Sequence, residues 1–392
     1  MIVNIEKNFL KGEINAILSK SYLHRIMICD YLAGNSVKIG NNSQDVFATK
    51  SCLDNIKTGN LDCGESGSTL RFMLPLCSAI GGEYSFTCHG RLAYRPNDEL
   101  FNVLRENGIF IEQTDKIHLK GKLKSGEYKI RGDISSQYIS GLLMALPILD
   151  GDSFITLTSP LVSAPYVDIT LEVLKGYGIK IEKYSSGFKV FGNQTYKGEL
   201  FAEGDWSNGA FMLVAGAING EILVKNLNLE SVQADREIYN VLKSANATMR
   251  ETKDGIYVEK SNLNGFLLDA EDCPDIVPIA SVLASFCKGV TEIKNISRLK
   301  IKESDRVLST ISMLSSFGIK AVEDNNRLIV YGGNPTAGVV DAFNDHRIAM
   351  SASVMASAIL GKSKILGAEC VNKSYPDFYE DIKSLGAIIT KE

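Results

Sequence analysis

VLKGYGIKIE, residues 173–182, closes an apolar-periodic run at Leu174, places a glycine four residues later at Gly178, and continues with alternating apolar residues. That order describes a helix stopped by a left-handed cap and followed by a strand. The same pattern recurs in VLRENGIFIE (103–112), VLKSANATMR (241–250), MLSSFGIKAV (313–322) and DIKSLGAIIT (381–390). The anchors Leu104, Leu174, Leu242, Leu314 and Ile382 lie 70, 68, 72 and 68 residues apart. In four copies a polar turn follows (TDK, SSG, KDG or DNN) and then a second short strand such as IHLKG or RLIVYGG. Helix, glycine and strand recur in any α/β protein, but so constant a spacing predicts one α/β unit of roughly 65 to 70 residues used repeatedly. A weaker sixth copy falls at Asp45–Asn60, where the strand after the helix is missing from the pattern. Two domains of three units each account for the chain of 392 residues.

Composition limits the partners. The chain is 45% hydrophobic and 22% charged, which is ordinary for a soluble globular protein, and its net charge is −4. An acidic balance argues against a nucleic-acid-binding surface, so any basic cluster is local and aimed at a small anion. No two of the eight cysteines have Cys-x-x-Cys spacing, and they read as small buried hydrophobes in a reducing compartment. The first residues, MIVNIEKNFLKGEI, interrupt their apolar positions with charge, unlike a signal peptide, and no apolar run is long enough to span a bilayer. A cytoplasmic location is the expectation.

Several motifs place cations beside helix starts. KSYLHR (20–25) packs two full cations, a histidine and a serine into six residues, which is more often the solvated start of a helix. GESGSTLR (64–71) is a small-residue turn leading into an apolar helix, where free backbone N–H groups and the positive helix end suit a phosphate. It also reads as a plain N-cap, and it lacks the lysine of a Walker loop. DISSQYISGLLMAL (133–146) opens a helix with Ser135, Ser136 and Gln137, three hydrogen-bonding side chains where one cap is enough. LKIKESDRV (299–307) mixes both signs ahead of another helix. FNDHRIAMSASVMASAIL (343–360) fuses Asp345, His346 and Arg347 onto an apolar helix whose burial obliges that charged start to face a partner or a ligand. NKSYPDF (372–378) sets Lys373 in a loop before the last helix. Asp275, in CPDIVPIA, is a lone carboxylate in an apolar stretch, with a helix N-cap as the plainer reading.

Taken together and in order, Lys20, Ser21 and Arg25; Gly67; Arg95 before Pro96; Ser135, Ser136 and Gln137; Asp275; KESDR from Lys302; NDHR ending at Arg347; and Lys373 resemble the 5-enolpyruvylshikimate-3-phosphate (EPSP) synthase family over about residues 14–388. The resemblance implies an α/β fold of two domains, each of three βαβαββ units. It implies an N-terminal domain over 19–203 on the shikimate-3-phosphate side and a C-terminal domain from 1–18 and 204–392 on the phosphoenolpyruvate side, with the active site in the cleft between them.

The implied reaction adds the 5-hydroxyl of shikimate-3-phosphate to C2 of phosphoenolpyruvate while C3 is protonated. Loss of a C3 proton and of phosphate then leaves an enol ether. No electron or hydride moves, so no cofactor and no metal is expected; what the chemistry needs is neutralised anions and an acid and a base at one carbon. By the resemblance, shikimate-3-phosphate falls to Lys20, Ser21, Arg25, Ser135, Ser136, Gln137, Ser163, Asp275 and Lys302. Phosphoenolpyruvate falls to Lys20, Gly67, Arg95, Gln137, Arg306, Arg347 and Lys373. Proton transfer falls to Lys20, Asp275 and Glu303, with the acid and base roles undivided. Arginine's planar fork suits carboxylate and phosphate, and a glycine at 67 lets the backbone approach the phosphoryl group. The family also implies a monomer.

Three positions depart from the family pattern: Glu65 stands where many members have Asn, Phe72 where many have Pro, and Arg298 where some have Asn. Arg298 is therefore left out of the site, and Asp205 in EGDWSNGAFM (203–212) reads as part of the second crossover. Two rivals share the repeat architecture. The sister enolpyruvyl transferase acting on UDP-N-acetylglucosamine is opposed by KESDR, SSQ and NDHR. It usually carries a fosfomycin-reactive cysteine five residues before its Arg-Pro, where this chain has Gly90. An RNA 3'-phosphate cyclase is opposed by the acidic balance.

Overall fold

The computed structural model describes residues 1–392. All five expected helix stops form. Gly108, Gly178, Asn246, Gly318 and Gly386 have φ of 89°, 75°, 64°, 75° and 105°. In each copy the N–H of the following residue donates to the anchor carbonyl: Ile109 to Leu104, Ile179 to Leu174, Ala247 to Leu242, Ile319 to Leu314 and Ala387 to Ile382, at 2.9–3.1 Å. This six-to-one bond satisfies a carbonyl the ending helix leaves open and turns the chain back into a strand.

The strands that follow build five four-stranded sheets with one shared pattern: a parallel pair, then two antiparallel neighbours. In one sheet, Leu267–Asp269 runs parallel to Val290–Lys294, which pairs antiparallel with Arg327–Tyr331, itself antiparallel to Ala321–Asp324. The hairpin between the last two turns on Asn325 and Asn326, both left-handed at φ 47° and 60°, as a two-residue turn of the right twist requires. Reading βαβαββ along the chain gives the EPSP synthase-like repeat.

The chain divides into two compact units, one of Met1–Ser19 with Glu203–Glu392 and one of Lys20–Ala202. The first holds three of the sheets and the second holds two. The shortfall is at the sixth copy. Helix Gln44–Asp54 runs into a 3-10 turn at Ile56–Thr58, and the next strand, Asn60–Asp62, pairs with Gly82–Thr87 of the following copy. In the first unit the N-terminal strand Ile2–Glu6 supplies what the C-terminal copy lacks, pairing with both Lys362–Leu366 and Ile388–Lys391. Leu10–Asn15 lies parallel to Gly220–Lys225.

The sheets lie outside and the apolar helices inside. In the first unit Trp206–Asn219, Val277–Ser285 and His346–Ser357 pack on one another and are buried along their whole lengths. In the second, Gly67–Ile80, Ser136–Ala145 and Ala164–Gly176 form a packed series, joined by Lys20–Ala33. No helix is long and apolar enough to cross a membrane.

The helix stop can be tested by itself at Gly108, where an added Cβ would meet nothing within 4 Å. Gly108→Ala is expected to cost about 1–2 kcal/mol from the left-handed backbone alone, whereas Asn246→Gly is expected to be neutral or stabilising. Urea unfolding of the two variants checks this; an alanine at 108 without cost would mean that the cap conformation does not matter.

Candidate active site

Most of the residues singled out by sequence sit at or just before helix N-termini, where unpaired N–H groups and the positive dipole end favour anions. Because the inner helices are apolar along their length, polar chemistry is confined to their ends. Each unit gathers such ends into one cluster.

In the first unit the centre is Asp275, in a 3-10 turn ahead of Val277–Ser285. Its side chain does not cap the helix. Instead Oδ1 accepts from Arg306 Nη1 at 2.7 Å and pairs with Lys302 Nζ at 3.3 Å, while Oδ2 accepts from Arg347 Nη2 at 3.1 Å. Arg306 is fully buried, and its remaining nitrogens are taken by Asp345 (Nε to Oδ2, 2.9 Å) and by Glu303. Those three carboxylates outweigh the cost of burial and push the guanidinium above its usual range. Burial pulls the Lys302 ammonium down, with Asp275 opposing. Asp345 caps helix His346–Ser357 by accepting from Arg347 N at 3.0 Å, and it accepts from Ser304 Oγ at 3.0 Å. Lys373, at the end of the 3-10 turn Ala368–Lys373, donates to the Asn344 carbonyl at 2.9 Å. Phe343 and Asn344, immediately before the cap, are both left-handed (φ 52° and 53°), an uncommon conformation that these contacts hold in place.

In the second unit Lys20 opens helix Lys20–Ala33 and pairs with Asp45 at 2.7 Å. The helix is not a solvated face, since Tyr22 to Asp30 are all buried. Arg25 donates from Nε to Thr170 Oγ1 at 2.7 Å, from Nη1 to the Ser21 carbonyl at 2.6 Å and from Nη2 to the Tyr166 carbonyl at 2.8 Å. It stacks 5.0 Å from the centre of the Phe72 ring, and burial lowers it to about 10. Gly67 is the first residue of its helix. A Cβ there would sit 3.0 Å from Arg95 Nη1 and 3.5 Å from Arg71 Nη1, so the glycine lets two guanidinium groups lie against the backbone. Gln137 ties this corner together, accepting from Arg71 Nη1 at 2.7 Å and donating to Ser68 Oγ at 2.8 Å. Ser135 caps the helix that begins at Ser136, accepting from Gln137 N at 3.3 Å. Ser163, buried and left-handed at φ 52°, precedes helix Ala164–Gly176.

Lys302, Glu303, Arg306, Asp275, Arg347 and Lys373 thus gather in one unit, and Lys20, Arg25, Gly67, Arg95, Ser135, Ser136, Gln137 and Ser163 lie in the other. Of the three residues proposed for proton transfer, Asp275 and Glu303 share Arg306, while Lys20 belongs to the second unit.

Asp275, Glu303 and Asp345 are legible in the motifs, but three other residues that hold these groups are not singled out by sequence. Arg71 was in view at the end of GESGSTLR, one turn into the helix. Asp45 and Asp235 carried no local signal. The histidine of KSYLHR joins no anion site: His24 Nδ1 bonds Thr49 Oγ1 at 2.7 Å, and Thr49 meets Thr69 at 2.6 Å, whose hydroxyl donates to the Ser66 cap at 2.8 Å. Burial, reinforced by Lys20 and Arg25, holds its pKa well below the usual histidine range, so it stays neutral. Asp205 is the N-cap of Trp206–Asn219, accepting from Asn208 N at 2.8 Å.

Asp235 is buried, and its carboxylate accepts from Ser207 Oγ, which itself accepts from Arg347 Nη2 at 2.9 Å. Burial and the neighbouring Asp275 raise Asp235 to about 6, against the pull of Arg347. A raised folded pKa contributes stability that is complete below the unfolded value of about 3.9 and is lost as pH rises through about 6. Relative to Asp235→Asn, the native chain is therefore expected to gain up to about 1 kcal/mol per pH unit as pH falls from 6 toward 4. Urea midpoints across that range check it; parallel profiles would show that Asp235 is not perturbed.

A model of the EPSP synthase (3-phosphoshikimate 1-carboxyvinyltransferase) family matches residues 14–382. The 3-phosphoshikimate 1-carboxyvinyltransferase of Clostridium kluyveri is 39% identical over 416 aligned positions, covering 99% of this chain and 98% of that protein. The one from Clostridium perfringens strain 13 is 37% identical, covering 100% and 99%. In fold, the EPSP synthase of Acinetobacter baumannii superposes with a TM-score of 0.82 at 22% identity over the whole of both chains. The enolpyruvyl transferase NikO of Streptomyces tendae superposes at 0.78 with 15% identity, covering 99% of this chain and 98% of that one. The helix-end clusters and the near full-length match agree: this chain belongs to the EPSP synthase family.

Proposed function

We infer that the chain transfers the enolpyruvyl group of phosphoenolpyruvate to the 5-hydroxyl of shikimate-3-phosphate and releases phosphate, the shikimate-pathway step toward chorismate and the aromatic amino acids. The observation that carries this reading furthest is the set of cations fixed at helix starts, with carboxylates interleaved, in a chain matching the family along its length.

In this reading Lys20, Ser21, Arg25, Ser135, Ser136, Gln137, Ser163, Asp275 and Lys302 bind shikimate-3-phosphate. Lys20, Gly67, Arg95, Gln137, Arg306, Arg347 and Lys373 bind phosphoenolpyruvate. Both clusters serve one reaction. The carboxylates matched to Arg306 and Arg347 mean that the first unit's cations do not await anions bare; bound substrate would exchange for protein partners. Such an exchange at Lys302 and Arg347 would free the Asp275 carboxylate to take the proton of the attacking hydroxyl. Glu303 and Lys20 would exchange the proton at C3, and the guanidinium groups would balance charge building on the departing phosphate. The chain's own residues supply all the acid, base and charge this sequence needs. A monomer in the cytoplasm completes the proposal, and size-exclusion chromatography with light scattering reports the oligomeric state.

The second reading, transfer to UDP-N-acetylglucosamine with a reactive cysteine in the loop before Arg95, finds Gly90 where that cysteine is needed. Gly90 is left-handed at φ 54°, and a Cβ there would fall 2.7 Å from the Glu65 carboxyl carbon. A side chain at that position would displace Glu65. Steady-state phosphate release should therefore require shikimate-3-phosphate together with phosphoenolpyruvate, should not occur with UDP-N-acetylglucosamine, and should survive incubation with fosfomycin with no added protein mass. Turnover of the nucleotide sugar, or a single fosfomycin adduct with parallel loss of activity, would overturn the assignment.

A further inference from the structure

All eight cysteines are free, and seven are buried; Cys88 is half-buried. Three of them meet beside the Gly67 turn. Strands Asn60–Asp62 and Gly82–Thr87 are parallel neighbours, with Leu61 opposite Phe86 and Asp62 opposite Thr87. One step further along that register sets Cys63 beside Cys88, and Cys63 N still donates to the Thr87 carbonyl at 2.9 Å. Adjacent strands stand about 4.8 Å apart, inside the span of Cα separations a disulfide bridges. The two side chains fall on the face that carries Leu61 and Phe86, toward the core. Their thiols are within hydrogen-bonding reach of each other. Cys52, the third thiol, also lies within hydrogen-bonding reach of Cys63, but it is buried, and its Sγ donates to the Asp62 carbonyl at 3.3 Å.

The pair stands at the root of two functional turns. Cys63 runs directly into Gly64–Glu65–Ser66 and the Gly67 helix start, and Cys88 runs into the loop that ends at Arg95. His89 N already donates to the Gly64 carbonyl at 2.8 Å, so the two turns leave the sheet side by side.

We propose that Cys63 and Cys88 form a reversible oxidation site, closing a disulfide that ties the Gly67 turn to the Arg95 loop. With a peroxide as oxidant, the half-exposed Cys88 sulfur attacks one peroxide oxygen and becomes a sulfenic acid, releasing the first water. The Cys63 sulfur then attacks the sulfenic sulfur, the S–S bond forms, and the second water leaves. Two thiols lose two electrons and two protons in all, and the peroxide takes both. The hydrogen bond from Cys63 lowers the Cys88 pKa, which favours the thiolate that begins the sequence, while hydrogen bonds with Cys52 and Cys88, together with burial, raise Cys63 and leave it as the resolving thiol.

The test treats the full chain with stoichiometric hydrogen peroxide, alkylates the remaining thiols and reads intact mass and tryptic peptides. Expected are the loss of two hydrogens, two thiols withdrawn from alkylation, and a link between peptides Thr58–Arg71 and Phe72–Arg91, all reversed by dithiothreitol. Cys88→Ser should form no such link, and Cys63→Ala should stop at a sulfenic acid that dimedone labels on Cys88. Eight alkylatable thiols after treatment, a link through Cys52, or the same product in Cys88→Ser would overturn the proposal. A kinetic arm rests on the reading of the reaction given above. The oxidised chain should show a several-fold higher KM for phosphoenolpyruvate, with a smaller change for shikimate-3-phosphate, restored on reduction. An unchanged KM in fully bridged protein would overturn the coupling to the turn. Absence of turnover in the reduced protein would instead indict the assigned reaction and leave the mass result standing.

Discussion

A buried apolar helix can offer polar chemistry only at its ends, and this constraint organises both units. Trp206–Asn219, Val277–Ser285 and His346–Ser357 have no solvated face, so their dipoles and unpaired N–H groups are expressed where each one starts. Asp205 and Asp345 cap two of these starts, and Asp275 precedes the third. The helices in turn depend on the left-handed stop that ends one helix of each copy and returns the chain to its sheet. Five recurrences of one hydrogen bond, from the residue after the Gly or Asn to the anchor carbonyl, fix five sheets of one topology.

Placing several cations at those starts creates a second demand. A guanidinium as buried as Arg306 is tolerated only with its donors matched, and three carboxylates do that. Removing one partner of such a set leaves an uncompensated charge, so Asp345 is as much a part of the proposed anion site as the arginines it holds. The same logic explains Asp45 on Lys20 and Gln137 on Arg71. The cations are oriented in advance, and in the proposed reaction bound substrate would exchange for carboxylates already present. Preorganisation of this kind lowers the reorganisation cost of binding and of charge development at the reacting carbon.

The repeat was legible in sequence because each copy announces itself locally. A Gly or Asn four residues after a helical anchor is a short-range signal, and even the missing strand after Asp45–Asn60 showed as a break in the pattern. What escaped were partnerships made over long separations. The pairing of Ile2–Glu6 with strands more than 350 residues away has no local mark. Neither has the bond from Asp235 to Ser207 and on to Arg347, because a buried acid in VQADREI looks like an ordinary helix start until its neighbours are placed. Motif cations were readable, since dense charge beside an apolar helix is itself unusual. Asp45 and Asp235, which hold two of them from a distance in sequence, were not, and the neutral state of His24 follows only from burial beside Lys20 and Arg25. Cys88 likewise reads as one more small hydrophobe until strand register sets it beside Cys63.

In the proposed reaction the residues fixed at these helix starts carry an addition followed by an elimination, with C3 of phosphoenolpyruvate protonated on the way. Running the reaction in heavy water and reading the product by proton NMR tests this directly. A methyl group formed with a solvent-derived deuteron loses either isotope in the second step, so deuterium is predicted in the vinyl methylene of the product. A product whose methylene stays fully protonated, at normal turnover in heavy water, would contradict addition–elimination and the proton-transfer roles given to Lys20 and Glu303.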